Sequence, residues 1–206
     1  MRKIATKLAL PLSLAIALGG CVSFGGKAPP SLLVLTPQQS VAQGTAVSGD
    51  AKDALIVLIP EVPQKLQTNR VPVQIDSSNI AYLTDAVWAD KPARLMQMLL
   101  METIAAKNGR LVLNEVSAGG KAQNFLAGSL LDFGLDATRN EAVVVYDAVR
   151  LRGGMTIEKR RFEARESVVE MKPGAAGAAL NQAANSVAID IAAWLAGANQ
   201  SPAPVQ

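Results

Sequence analysis

The sequence predicts an α+β fold: a single two-layer domain, with a mostly antiparallel sheet and two main helices on one face. Three observations predict it. Strand-like apolar runs follow one another without a helix between each pair, the last three are joined by turns of only a few residues, and just two segments carry helical signals. No internal repeat is visible.

The chain opens on a targeting segment. Arg2, Lys3 and Lys7 precede an apolar run over residues 8–18 that only Pro11 and Ser13 interrupt, the charge-then-apolar order of a secretory signal peptide. These 11 residues are too few to cross a bilayer, which takes about 20. Gly19 and Gly20 give a peptidase access to the backbone, and Cys21, the sole cysteine, supplies a thiol that can carry a lipid. The segment therefore reads as a signal over 1–20, cut between Gly20 and Cys21, followed by a lipidated tether over 21–31. A structural cysteine would not stand in a small-residue segment beside a cleavage site.

The domain reads as 32–197. Residues 32–35 (LLVL) form a first strand ended by Thr36-Pro37, and 38–53 form a polar surface loop. Residues 54–60 (ALIVLIP) are apolar on both alternating faces, as expected of a central buried strand. Strands at 71–75 and 80–88 flank the turn signal Asp76-Ser77-Ser78-Asn79. Asp90, with Pro92 behind it, marks a helix start with Asp90 as the cap, and Asn108-Gly109 ends that helix. RLVLNE (110–115) resumes strand, and three longer strands follow over 125–169, punctuated by Thr138-Arg139-Asn140 and Gly153-Gly154. Pro173-Gly174 opens an alanine-rich helix to about Leu195, with Leu180, Ala184, Val187, Ile191 and Trp194 as its core stripe. Residues 198–206 read as a disordered tail.

The first helix is less regular. Its polar residues Arg94, Gln97, Glu102, Thr103 and Lys107 scatter around the wheel, with Leu, Ile, Met96, Met98 and Met101 filling the rest. A helix apolar nearly all round needs cover on more than one side. Either it is wedged between the sheet and the second helix, or one side meets a partner or a lipid, for which flexible methionines are suited.

Composition excludes several classes of function. The formal charge is +3, but three of the 20 basic residues lie in the signal and none of the 17 acidic ones do, leaving 17 against 17. The electrostatic footprint of a nucleic-acid binder is missing. Lys159, Arg160, Arg161 and Arg165 cluster, yet Glu158, Glu163 and Glu166 interleave with them, the pattern of a solvated strand face. With no histidine in the chain, Ser-His-Asp and Cys-His machinery and histidine zinc sites are excluded. Asp76, Asp85 and Asp90 are close in sequence, but each sits beside a turn or cap signal. No glycine pattern matches a phosphate loop. The reading is a non-enzymatic protein without metal or cofactor.

Two resemblances sharpen this. Leu18-Gly19-Gly20-Cys21 resembles the lipobox of bacterial lipoproteins, which implies a diacylglycerol and an acyl chain on Cys21 as the mature first residue. Two or more chains anchor stably where one does not. Val22 and Ser23 follow, not the aspartate that often signals inner-membrane retention in such lipoproteins, which favours the outer membrane, on its periplasmic side. Further on, residues 59–104 resemble the core of the ABC-type transport auxiliary lipoprotein family. Val62-Pro63, Leu66, Arg70, Tyr82, Trp88 through Pro92, Leu99 and Leu100 carry the match, as do Arg161-Phe162-Glu163-Ala164 and residues 184–195. It is weaker at the first strand, where members often have an aromatic and this chain has Leu32, Leu33 and Val34.

The family resemblance implies a docking component that works with an ABC permease and a mammalian-cell-entry-type substrate-binding protein to move lipids or other apolar molecules. A homo-oligomer is compatible with it. Arg70, Tyr82 and Trp88 are the candidate partner contacts, because Arg, Tyr and Trp are the usual interface anchors; the alternative has Tyr82 and Trp88 as sheet aromatics packing on the core and Arg70 pairing locally. Two other functions compete: a lipid carrier with an apolar cleft beside Met96, Met98 and Met101, and a structural envelope lipoprotein.

Overall fold

A computed structural model describes residues 31–118, 122–153 and 155–197. The signal, Cys21 and nearly all of the tether lie outside them, as does the 198–206 tail. The elements are β1 (Ser31–Leu33), β2 (Leu55–Val57), a 3-10 turn (Gln64–Leu66), β3 (Arg70–Gln74), β4 (Ile80–Trp88), α1 (Pro92–Asn108), β5 (Val112–Leu113), α2 (Glu115–Ala118), β6 (Asn124–Asp136), β7 (Glu141–Arg152), β8 (Thr156–Ser167) and α3 (Pro173–Gly197). The fold is α+β, as predicted.

The sheet is mixed. Its long ladders, β6 with β7 and β7 with β8, are antiparallel, as is the β3–β4 hairpin. Four short pairings are parallel: β1 with β4, β2 with β5, and both β2 and β3 with β6. β6 is the pivot. β7 runs along one of its edges, while β2 pairs near its start and β3 at its end on the other. Such local pairings between distant strands leave no turn signal in the sequence.

One core joins the layers. Leu126, Leu130 and Phe133 of β6 and Val144, Tyr146 and Ala148 of β7 cluster with Met96, Leu99, Leu100 and Ile104 of α1 and with Leu180, Ala184, Val187 and Ile191 of α3. The predicted stripe of α3 is thus buried, with Trp194 half-exposed against Phe162 of β8, ring centroids 5.7 Å apart.

α1 explains its own scattered polarity. Gln97 and Thr103 are buried, and the Gln97 amide donates to the Val57 carbonyl at 2.8 Å, tying the helix to β2. Only a narrow line, the cap residue Lys91 followed by Arg94 and Met98, is exposed along its first half.

The start of α1 corrects the predicted cap. Lys91 occupies the cap position with no side-chain cap bond, and Asp90 instead accepts the Lys91 N–H at 2.7 Å and pairs with Arg94 at 3.4 Å. Pro92 is the reason. It is the first helical residue, and a proline forces the residue before it into extended backbone, here φ −62° and ψ 138°, which makes that residue the cap. The predicted strands at 54–60 and 110–115 also shorten, and Glu115, read as strand, begins α2.

Candidate functional site

The segment between β2 and β3 carries Pro60 and Pro63, which cannot donate to a ladder, so the chain leaves the sheet here. It is nonetheless held firmly. Glu61 donates its N–H to the Gly128 carbonyl at 2.9 Å and accepts the Leu130 N–H at 2.8 Å, while Leu66 is fully buried in the core. Around this segment, Ile59, Val62, Gln67, Lys91 and Ala93 line an open cleft of about 540 Å3 at the start of α1. Ile59 is 49% exposed there.

A second feature borders the same segment. Arg70 opens β3, exposed, with its guanidinium carbon 4.2 Å from the centre of the Tyr82 ring, a cation–π contact. The Tyr82 hydroxyl reaches back to the Lys65 carbonyl at 3.5 Å, and the Lys65 ammonium lies 3.0 Å from Asp132. Arg70 and Tyr82 are therefore a pre-ordered ledge beside the cleft.

The six candidate contact residues divide. Arg70 and Tyr82 meet at the surface, whereas Trp88 is 1% exposed and stacks on Phe133 with ring centroids 4.7 Å apart. Met96 is fully buried, Met101 packs partly against the core, and Met98 is 55% exposed on the outer line of α1. The three methionines do not share one side of α1, because successive side chains of one helix point in different directions. Gly20 and Cys21 lie outside the described residues. Lys65 and Ile59, which sequence reading did not single out as contacts, join the ledge and the cleft; the two prolines bracketing residues 60–63 were the available signal.

A polar strap at the N-terminal end was also not foreseen. Asn181 accepts the Thr36 N–H at 2.8 Å, and Asn185 accepts the Gln38 N–H at 2.7 Å while donating to the Thr36 carbonyl at 2.9 Å. Glu102 of α1 accepts the Val41 N–H at 2.8 Å. The chain leading in from the tether is thus laid along α3 and then over to α1. Asn185→Ala is expected to cost about 2 kcal/mol, because its amide is buried and meets the backbone at both ends. Limited proteolysis should then cut near residues 36–41 faster than in the wild type.

Charges on β7 and β8 form several ion pairs. The interleaved β8 cluster is a solvated face: Arg161 donates to Asp147 through Nε and Nη2 at 2.6 and 2.9 Å, and Arg165 donates to Glu163 and Glu141. The Arg161 hydrogen bonds, assisted by Lys159, pull the Asp147 carboxyl from 3.8 down to about 2. A folded-state value below the unfolded one means this pair stabilises fully above about pH 4, and the gain is lost as pH falls toward 2. Solvent screening of the exposed cations keeps the term on the order of 1 kcal/mol. Acid unfolding should therefore be less steep between pH 4 and 2 in Asp147→Asn than in the wild type.

The carboxylates at 76, 85 and 90 do not converge. Asp76 caps its own turn, accepting the N–H groups of Ser78 and Asn79, and Asp85 sits at φ 56° in the irregular part of β4. Among the described residues no acidic cluster could hold a metal ion, and no described helix is long and apolar enough to cross a membrane.

Comparison with known proteins adds the following. A family model described as "ABC-type transport auxiliary lipoprotein component" matches residues 34–192. Among curated proteins none matches. The fold is similar to the crystal structure of a Xanthomonas campestris protein assigned to the family DUF330, at 16% identity and TM-score 0.62, covering 84% of this chain and 95% of that one. It is also similar to the crystal structure of an uncharacterized protein, at 18% identity and TM-score 0.61, covering 70% of this chain and 92% of that one.

Proposed function

The chain belongs to the ABC-type transport auxiliary lipoprotein family, and from that membership we propose that it is the non-enzymatic docking component of a transport system of the mammalian-cell-entry type. In this reading Cys21 carries a diacylglycerol and an acyl chain, and holds the domain on the periplasmic side of the outer membrane. The domain then meets an ABC permease and a mammalian-cell-entry-type protein that pass lipids or other apolar molecules across the envelope.

The observation that carries the docking role is the Arg70–Tyr82 ledge beside the open cleft. Two anchor-type side chains are held in one geometry at the surface, next to a groove with an exposed isoleucine. Groups ordered before binding lose less entropy when a partner arrives. A lipid carrier is supported less, since the cleft is open and lined by Lys91, Glu61 and Gln67 as well as apolar groups.

Affinity purification of the full-length lipoprotein from detergent-solubilised envelopes, beside a Cys21→Ala control, tests the reading. Recovery of a permease or mammalian-cell-entry component by the wild type, reduced in the control, is the expected result. Recovery of neither by the wild type sinks it. Arg70→Glu is expected to lower recovery about tenfold, the effect of losing one interface anchor, with stability lowered by no more than about 1 kcal/mol, the value of one exposed cation–π contact.

A further inference from the structure

β1 presents an unusual outer side. Leu33 and Leu35 pack against the core, whereas Leu32 and Val34, on the opposite side of the same extended chain, are 69% and 56% exposed. This pair is held rigidly. The Leu33 carbonyl accepts the Ala89 N–H at 2.8 Å, Leu33 lies over Gly177 of α3, and Thr36 and Gln38 are fixed by Asn181 and Asn185 just beyond. Scattered surface apolar residues are ordinary, but these two stand at the root of the tether.

The distance to the membrane is short. Nine residues separate Cys21 from Ser31, so the start of β1 can be no more than about 35 Å from the anchored cysteine even when the tether is fully extended. Ala89, bonded to Leu33, is followed by Asp90, whose carboxylate pairs with Arg94, and by Lys91, the first residue of the exposed line leading into α1. An apolar pair with a lysine close by is the combination that settles at a headgroup boundary, the side chains in the acyl margin and the ammonium among phosphates.

We propose that Leu32 and Val34 rest in the headgroup layer of the bilayer that holds Cys21, so that the domain sits in one orientation and does not swing freely on its tether. The proposal rests on the anchored reading given above. With β1 against the lipid, the strap fixes α3 and α1 relative to the membrane, and with them the cleft at the start of α1.

The test uses the full lipoprotein, purified with its anchor and placed in phosphatidylethanolamine–phosphatidylglycerol vesicles. Leu32→Cys and Val34→Cys are labelled with an environment-sensitive fluorophore, and Val169→Cys, at a position 97% exposed, serves as the aqueous reference. Acylated Cys21 does not react with the label. Labels at 32 and 34 are expected to be at least threefold less accessible to a water-soluble quencher than the one at 169, and to lose that protection in dilute detergent. Equal accessibility at all three positions in vesicles that float with the protein overturns the proposal and leaves the anchor intact. Protection that persists in detergent, or that needs added envelope proteins, also overturns it, in favour of protein contacts. Protein that does not float at all, with no lipid mass on Cys21, overturns the anchor and the proposal together.

Discussion

Gly128→Ala is expected to destabilise the domain by about 3 kcal/mol, in the upper range for overpacking a filled site. Gly128 lies in β6, and a Cβ there would meet the Asp147 carbonyl oxygen at 2.3 Å and Cε1 of Tyr146 at 2.6 Å. A side chain can turn aside, but a backbone carbonyl in the β6–β7 ladder moves only with its strand. The Gly128 carbonyl also receives the Glu61 N–H, so movement of β6 would loosen the segment that forms the cleft. For a domain of this size the loss corresponds to a fall of about 10 °C in melting temperature. An unchanged melting temperature by calorimetry would show that the two strands can separate there at little cost. Trimming Tyr146 should not rescue the variant, because the carbonyl contact is the shorter one.

Trp88→Ala is expected to cost about 4 kcal/mol, the usual loss for removing a large aromatic from a core. Trp88 closes β4, stacks on Phe133 of β6 at an interplanar angle of 17°, and stands directly before α1. Its substitution would leave a cavity where β4, β6 and the start of the helix meet. Trp88→Phe should recover most of the stability, since the stacked ring is kept and the indole N–H has no hydrogen-bond partner in the structure. Urea unfolding separates the outcomes. If Trp88→Ala lowered partner recovery without lowering stability, the tryptophan would be a contact after all, contrary to its burial.

The same tryptophan shows where sequence reading reaches its limit. Arg, Tyr and Trp are interface-prone and core-prone in different proportions, and composition cannot tell which role a given ring takes. Met96 and Met98 make the point within one helix. They are two residues apart, and a rotation of about 200° puts one in the core and the other in solvent. The sequence placed both on a helix but could not orient that helix against its neighbours. Asp90 failed as a cap for a local reason that was in principle readable, since Pro92 had already fixed the cap one residue later.

What the sequence by itself determined is the part of the protein governed by local rules. The α+β class, the three long strands with their short turns, the limits of both main helices and the stripe of α3 follow from periodicity and turn chemistry, which act within a few residues. The exclusion of histidine chemistry follows from composition alone. Only the tertiary structure decided the parallel pairing of β2 and β3 on one edge of β6, the Arg70–Tyr82 ledge, the strap through Asn181 and Asn185, and the exposed side of β1. Each of these joins residues far apart in the chain, except the ledge within its hairpin. Their pairing is set by how the helices and sheet close around one shared core, and no local pattern encodes that closure.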